Sequence, residues 1–417
     1  MLAGDVEITG INTPERASIT VNVDGIPVHL NDHQVSAVNM FNKNYPILVV
    51  DSACGAGKSL CTAVMAQEAV RKGEKILVAA VQNSALDVIG LKIAQQQSDQ
   101  IRPVRYVNDL MANDPSNTSS FALQVLMENF HETHRHLLSD RLYNKFRNFS
   151  DSRREMREFM FSGIQRHVVT TEHKRLLLLE QAASEEVHIL VRHFLKLYKP
   201  NVYLCTISAA LNLTSKKGLW RRFQKARFTL IGDSKQLPPY IGVHDIPLAV
   251  EVSSRSVLDI ACRRGNVPVC KVSTVYRPHV EMMRLNSDMF CEGKLICGTP
   301  PHMRRALLSR LTMPNPAIPV AFVDVPSESV KSVTGSHSNL VEANTVNVLD
   351  TTVTVGTVDS AQGSERSVVI LCTTRTSIER GSKATFFSDP KRLNVALSRA
   401  KDGIHNTGEL RPRQDTV

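Results

Sequence analysis

Long apolar runs are absent from this 417-residue chain. No stretch approaches the about 18 consecutive apolar positions of a membrane-crossing helix, and Asp5 and Glu7 stand where a secretory signal would carry a basic lead into an apolar core. Neither a membrane span nor a signal segment is expected. No Cys-x-x-Cys pair occurs among the eight cysteines, which lie scattered from Cys54 to Cys372. That spacing argues against a disulfide framework and a zinc module, and suits reduced thiols in the cytoplasm or nucleus. Internal repeats and low-complexity tracts are missing as well. Acidic residues are outnumbered, 40 Asp plus Glu against 50 Lys plus Arg, for a formal charge of +10. Such a field concentrates polyanions, nucleic acid among them. The shortage is sharpest from Val187 through Gly232, where neither Asp nor Glu occurs.

What is present is ordinary globular material. Apolar residues make up 42% and charged residues 22%, which excludes a wholly disordered, collagen-like or coiled-coil chain. At about 150 residues per domain the length predicts two to three domains. Short strands at Ala17 to Val23 and Ile26 to Leu30, joined by Asp24-Gly25, predict a small β segment over residues 1–30. An apolar run from Tyr45 to Val50 leads through a glycine-containing turn into a helical pattern from Leu60 to Arg71. A second strand (Lys75 to Ala80) and helix (Ala85 to Gln97) repeat the alternation. This is the pattern of a parallel α/β sheet.

From about 120 to 200 glycine and proline nearly vanish, and charged residues alternate with Leu, Phe and Met at helical spacing. The spacing predicts a helical insertion in two segments, Phe121 to Phe161 and Thr171 to Tyr198, with Leu176 to Leu179 as an apolar stripe. Arg153, Arg154, Arg157, Arg166, Lys174 and Arg175 cluster there, either as a nucleic-acid-facing surface or as a solvated helix face. Strands return at Val202 to Ile207 and Phe228 to Ile231. A second α/β region follows, with strands expected near Val320 to Val325, Thr351 to Thr357 and Ser367 to Thr373. Pro314 to His337 reads as a mobile connection.

The turn after the first α/β strand reads Ser52-Ala53-Cys54-Gly55-Ala56-Gly57-Lys58-Ser59. Between a strand and a helix, such a loop has a definite mechanism. The backbone N–H groups of Gly55, Ala56, Gly57, Lys58 and Ser59 wrap a phosphate, Lys58 reaches the β- and γ-phosphates, and the Ser59 hydroxyl can hold Mg²⁺. The match departs from the full pattern at its first glycine, which falls on Ser52. ATP with Mg²⁺ is the cofactor this loop implies.

Further strings narrow the class. They are Leu30-Asn31-Asp32-His33-Gln34, Ala80-Val81-Gln82-Asn83-Ser84-Ala85-Leu86-Asp87, Gly232-Asp233-Ser234-Lys235-Gln236-Leu237-Pro238-Pro239 and Val275-Tyr276-Arg277-Pro278-His279. Thr357 to Glu365 (TVDSAQGSE) and Arg392 to Ala400 (RLNVALSRA) complete the set. In this order, over Leu30 to Ala400, they resemble the motifs of the superfamily 1 helicases, in the branch of the nonsense-mediated mRNA decay helicase. The resemblance implies an α/β fold of two RecA-like P-loop NTPase domains, here 31–250 with the insertion and 251–417, that bind ATP between them and track along single-stranded RNA or DNA. It further implies that Gln34 reads the adenine and Gln236 senses the γ-phosphate. Gly363 and Glu365 stand in the motif that lies by the ribose or supports its loop. Phosphoryl transfer is catalysed largely by positioning and charge neutralisation, and Arg277 and Arg399 are the candidates for that charge. Arg392 is a phosphate-adjacent or merely surface charge.

Two departures are expected to matter. The family's Asp-Glu pair, which holds Mg²⁺ and prepares the attacking water, has no counterpart before Gly232-Asp233; a strand between about Leu213 and Lys217 is missing. Asp233 is a less favoured substitute for the metal. After Asp402 the family continues into an apolar strand, whereas this chain reads Gly403-Ile404-His405-Asn406-Thr407-Gly408. The second domain is therefore expected to be truncated there and to lack an edge strand. Hydrolysis is in doubt, and a hydrolysis-deficient binding protein or an incomplete gene model are the competing readings. Protein partners are not legible.

Overall fold

The computed structural model describes residues 15–107, 119–161, 171–216, 226–237, 246–248, 255–300, 302–333, 337–347, 354–374 and 389–408. They form an α/β protein of parallel sheets flanked by helices, consistent with RecA-like domains. In chain order the first elements are the hairpin β1 (Thr20–Val23) and β2 (Ile26–His29), α1 (Asp32–Asn42), β3 (Ile47–Ser52), α2 (Lys58–Arg71), β4 (Ile76–Ala80), α3 (Asn83–Ala94) and β5 (Pro103–Tyr106). The helical layer follows as α4 (Leu123–Glu128), α5 (Phe130–Thr133), α6 (Asp140–Phe161) and α7 (Thr171–Tyr198). Then come β6 (Val202–Thr206), α8 (Ile207–Lys216), β7 (Phe228–Gly232), α9 (Val257–Arg264), β8 (Val269–Val272), β9 (Thr274–Val275), α10 (Val280–Phe290) and β10 (Ile296–Cys297). The last elements are β11 (Val320–Asp324), β12 (Val330–Lys331), β13 (His337–Ser338), α11 (Leu340–Asn347), β14 (Arg366–Cys372), α12 (Pro390–Leu397) and β15 (Ala400–Gly408).

Two compact units emerge. One gathers Leu30–Lys58 with Arg227–Val417; the other gathers Thr20–His29 with Ser59–Ala226. The first is organised on a parallel sheet in the order β7-β3-β8. Strand β3 takes the centre because its apolar run is buried on both faces: Leu48, Val49 and Val50 are 2% exposed or less. Parallel strands deliver their carboxyl ends to one edge. There β3 runs into the 52–58 loop, β7 into the 233–236 turn, and β8 through β9 into Tyr276 and Arg277.

The second sheet of this unit, β11-β15-β14, is also parallel and corrects an expectation. The polar carboxy-terminal segment forms a nine-residue strand in the middle of its sheet, pairing Ile404 with both Val320 and Val369. Three features compensate for its polarity. Ala400 and Ile404 are buried, Thr407 donates its hydroxyl to Glu342 at 3.2 Å, and Gly403 admits Leu307, whose Cδ2 would lie 2.0 Å from an added Cβ. Pro314 to His337, read as a mobile connection, instead carries β11 and the β12/β13 pairing. Of the strand expected at Thr351 to Thr357, residues 354–357 are not strand and 351–353 lie outside the described residues.

The other unit holds the β1/β2 hairpin, closed as expected at Asp24 (φ 52°) and Gly25 (φ 81°), and the parallel sheet β4-β6-β5. The expected helical insertion is present. Its first segment is broken into α4, α5 and α6, and the second is a single helix. Phe130, Phe146 and Phe194 form its centre, each at most 1% exposed, with ring centroids 5.0 and 5.1 Å apart around Phe130. The stripe Leu176 to Leu179 does not read as core at Leu178, which is 66% exposed. Arg153, Arg154 and Arg157 are engaged within the layer. Arg154 pairs with Asp151 at 2.5 Å, Arg157 with Glu128 at 2.7 Å, and Arg153 lies over the Phe149 ring. Lys174 and Arg175 are exposed, and Arg166 lies outside the described residues.

Phe194→Ala removes the ring shared by α7 and the centre of this layer. It should cost about 3–5 kcal/mol, read as lost amide-exchange protection in α6 and α7 while β14 and β15 keep theirs. Unchanged protection in α6 would contradict that core assignment.

Candidate nucleotide site

The strand β3 ends at Ser52, and α2 begins at Lys58 and carries Ser59 in its first turn. Between them the loop turns on two left-handed glycines, Gly55 (φ 81°) and Gly57 (φ 85°). Neither position has room for a side chain. A Cβ on Gly55 would sit 2.6 Å from the Arg277 Cβ, and one on Gly57 2.6 Å from the Gln34 Nε2. Ser52, where the pattern places its first glycine, belongs to the extended strand, so no left-handed conformation is required of it. Departure from the pattern is thereby absorbed. Lys58 donates from Nζ to the carbonyl oxygens of Ser52 (2.8 Å) and Ala53 (2.9 Å), which holds the ammonium across the loop.

Gln34 sits under the same loop. It completes a capping box with Asn31, donating its backbone N–H to the Asn31 side chain (3.0 Å) and accepting from the Asn31 N–H (3.1 Å). Its Nε2 also donates to the Ala56 carbonyl at 3.0 Å, and the residue is buried. Both ends of the carboxamide therefore brace α1 against the phosphate loop.

Two guanidinium groups converge on the loop from the segments the sequence singled out. Arg277 donates from Nε to Glu365 (2.7 Å), and from Nη1 to the Cys54 sulfur (2.7 Å) and the Ser398 carbonyl (3.2 Å). Arg399, only 3% exposed, donates to the Val395 and Ser364 carbonyls, to the Ser398 hydroxyl, and from Nη2 to the same sulfur at 2.7 Å. Burial pulls the pKa of Arg399 down. Glu365 accepts from Arg277 and from Lys401 (2.5 Å). Burial works against its charge, yet Lys401 and Arg277 hold the carboxyl below its ordinary range. Gly363, at φ 86°, shapes the turn before it. Arg392 pairs with Asp359 at 3.2 Å and so ties two of the sequence motifs together.

Gln236 is buried and donates from Nε2 to Asp233 at 2.8 Å, while the other Asp233 oxygen accepts from the Lys235 N–H at 3.0 Å. Asp51, which the sequence reading passed over, holds the same turn. Its two oxygens accept from the Ser234 N–H (2.9 Å) and hydroxyl (2.8 Å). Asn394 closes the turn from the other side by donating to the Lys235 carbonyl at 3.0 Å. Magnesium takes six oxygens, commonly one or two carboxylates beside phosphate and water. Beside the loop the described residues offer the Ser59 hydroxyl and two carboxylates that already fix the 233–236 turn, and no cluster of three His, Cys, Asp or Glu suits a metal. With their carboxylate oxygens so engaged, these described residues do not fit a protein-held Mg²⁺ ion. The stretch where the absent Asp-Glu strand is expected runs beyond Lys216 into residues outside those described.

Known proteins resemble this chain in sequence. Residues 29–193 and 345–410 each match a family described as AAA domain. An uncharacterized ATP-dependent helicase of Caenorhabditis elegans is 26% identical over 92% of this chain and 30% of its own length. The regulator of nonsense transcripts 1 homolog of Arabidopsis thaliana is 23% identical over 92% of this chain and 32% of its own. The 5'-3' DNA helicase ZGRF1 of Mus musculus is 28% identical over 45% of this chain and 12% of its own. Among solved structures, an arterivirus nonstructural protein 10 helicase in complex with DNA aligns over 96% of this chain and 72% of its own, at 13% identity and a TM-score of 0.38. The sequence matches support a superfamily 1 helicase family. The chain spans about a third of the length of the Caenorhabditis elegans and Arabidopsis thaliana relatives.

Gly55→Ala should destabilise the unit holding the loop by more than Gly73→Ala destabilises its own. Both glycines have positive φ, an arrangement costing about 1–2 kcal/mol for other residues, but only Gly55 adds a collision with Arg277. Equal losses in denaturant titration would remove the claim of close approach.

Proposed function

We propose that this chain is a helicase-like protein of the nonsense-mediated decay branch that holds ATP on the 55–59 loop, engages single-stranded RNA or DNA, and turns ATP over slowly. One observation carries the reading. Lys58, Arg277 and Arg399 converge on a loop shaped for phosphate, while the nearest carboxylates, Asp51, Asp233 and Glu365, are each bound to other groups of the protein. In this reading the N–H groups of Gly55, Ala56, Gly57, Lys58 and Ser59 and the Lys58 ammonium receive the phosphates. Arg277 and Arg399 neutralise the terminal phosphate. Gln236, fixed by Asp233, reports its presence to the turn that Asn394 closes. Gln34 braces the loop from the adenine side, and Gly363 with Glu365 lies toward the ribose. Such an arrangement favours binding; hydrolysis additionally needs a carboxylate to align water.

A second reading has its own support. Among the described residues β7 pairs with β3 alone, leaving its outer edge open, and Phe228 at its start is 55% exposed. An open edge on the strand that leads to the γ-phosphate sensor is where a strand ending in Asp-Glu would pair. The sequence would then be an incomplete version of an active helicase. Inserting such a strand between Leu213 and Lys217 should raise phosphate release, and no change would count against this second reading.

Titration with a non-hydrolysable ATP analogue should show binding by the parent and at least about a tenfold loss with Lys58→Ala. Phosphate release by the parent should be slow and little stimulated by nucleic acid. Robust stimulated turnover, abolished by Lys58→Ala, would overturn the account of the carboxylates.

Affinity for a single-stranded oligonucleotide should fall steeply between about 50 and 200 mM salt, as counterion release requires. A flat salt profile would remove the electrostatic basis for nucleic-acid binding.

A further inference from the structure

Cys54 occupies the centre of the cation cluster just described. Its sulfur receives one N–H from Arg277 and one from Arg399, each at 2.7 Å. Its neighbour four residues on is Lys58. The Ser398 carbonyl lies 3.9 Å from the sulfur. The acids nearby are engaged elsewhere: Glu365 with Arg277 and Lys401, Asp233 with Gln236 and the Lys235 N–H. Burial acts to raise the pKa of the Cys54 thiol, but Arg277, Arg399 and Lys58 outweigh it and bring it below the ordinary value. Burial drives Cys205 and Cys291 the other way, to about 11, and it also raises Cys262, Cys270 and Cys372. The thiolate is the nucleophile in cysteine chemistry, so the two guanidinium contacts and Lys58 single out this sulfur.

We propose that Cys54 is an oxidation site within the phosphate cradle: hydroperoxides convert its sulfur, held between Arg277 and Arg399, to a sulfenic acid that closes the loop to nucleotide. This rests on the reading that the 55–59 loop holds ATP. In the step, the thiolate attacks one peroxide oxygen, an S–O bond forms and the O–O bond breaks. The departing hydroxide takes a proton from solvent and leaves as water. Sulfur loses two electrons and the peroxide gains them. The product is a larger group beside two guanidinium groups, on the loop that must wrap a phosphate. A thiol reductant reverses it, because one thiol displaces water to form a mixed disulfide and a second releases Cys54.

The same positions predict that bound nucleotide protects the sulfur. Phosphate entering the loop would take the charge of Arg277, Arg399 and Lys58 for itself, remove their support for the thiolate and cover it. Oxidation and nucleotide binding would then exclude one another.

The test uses the full chain, hydrogen peroxide, and iodoacetamide labelling resolved by mass spectrometry. Cys54 should alkylate half-maximally at a lower pH than the exposed Cys372, should be oxidised before it, and should be protected by the ATP analogue. Arg277→Gln with Arg399→Gln should move the Cys54 titration upward. Peroxide should weaken analogue binding by about tenfold or more, dithiothreitol should restore it, and binding by Cys54→Ala should be insensitive to peroxide. Alkylation of Cys54 no earlier than Cys372, or equal peroxide sensitivity in Cys54→Ala, would overturn the proposal. So would undiminished analogue binding by chain whose Cys54 is fully oxidised. If the untreated chain binds no analogue, the nucleotide reading falls and takes the closure claim with it, while the order of labelling still decides whether Cys54 is the oxidation site.

Discussion

Positive charge crowded onto one short loop is the constraint around which this unit is built. Lys58, Arg277 and Arg399 stand at the carboxyl edge of a parallel sheet, and like charges brought together in a partly dry site must be offset by dipoles or anions. The protein supplies both. Carbonyl oxygens of Ser52 and Ala53 hold Lys58, those of Val395, Ser364 and Ser398 hold the arginines, and Glu365 binds Arg277 and Lys401 together. The Cys54 sulfur receives what remains. Each partner is weaker than a polyphosphate would be, so the arrangement is poised to exchange them for one.

The acids near this cluster have a structural task. Asp51 and Asp233 together use all four carboxylate oxygens of the pair on the 233–236 turn, which positions Gln236 and, through the Lys235 carbonyl, Asn394 of α12. Freeing either for a metal would undo hydrogen bonds that fix the turn. The cationic groups are thus assembled by the loop and two arginines, while the acids Asp51 and Asp233 are committed to the 233–236 turn.

Much of this was legible in the sequence because motif strings fix chemistry and geometry together. Gly55 and Gly57 are where the turn requires left-handed backbone, and Arg277, Arg399 and Glu365 gather at the loop as their motifs suggest; Gln236, expected in the first domain, falls in one compact unit with these residues expected in the second. Gln34 was found for its motif, but its use as a brace beneath Gly57 depends on the approach of α1 to the loop, which spacing does not encode. Cys54 and Asp51 were missed because their importance comes from partners 183 to 345 residues away. The misreading of β15 has a different cause. Period-two patterning reports side-chain burial, whereas a central parallel strand is held by its backbone on both edges and can carry Asp402, His405 and Asn406. The broken first half of the helical layer escaped because charged and apolar residues keep helical spacing through Asn129 and His134, where the chain turns.

The central claim is that the cradle binds the phosphates while the protein contributes no free carboxylate to a metal. The direct measurement is the affinity of the full chain for ATP with Mg²⁺ and with the metal chelated, taken alongside single-turnover hydrolysis in the same preparations. The account predicts similar affinity in both and slow hydrolysis when Mg²⁺ is present. Affinity that collapses on chelation, together with fast single-turnover hydrolysis in Mg²⁺, would contradict it.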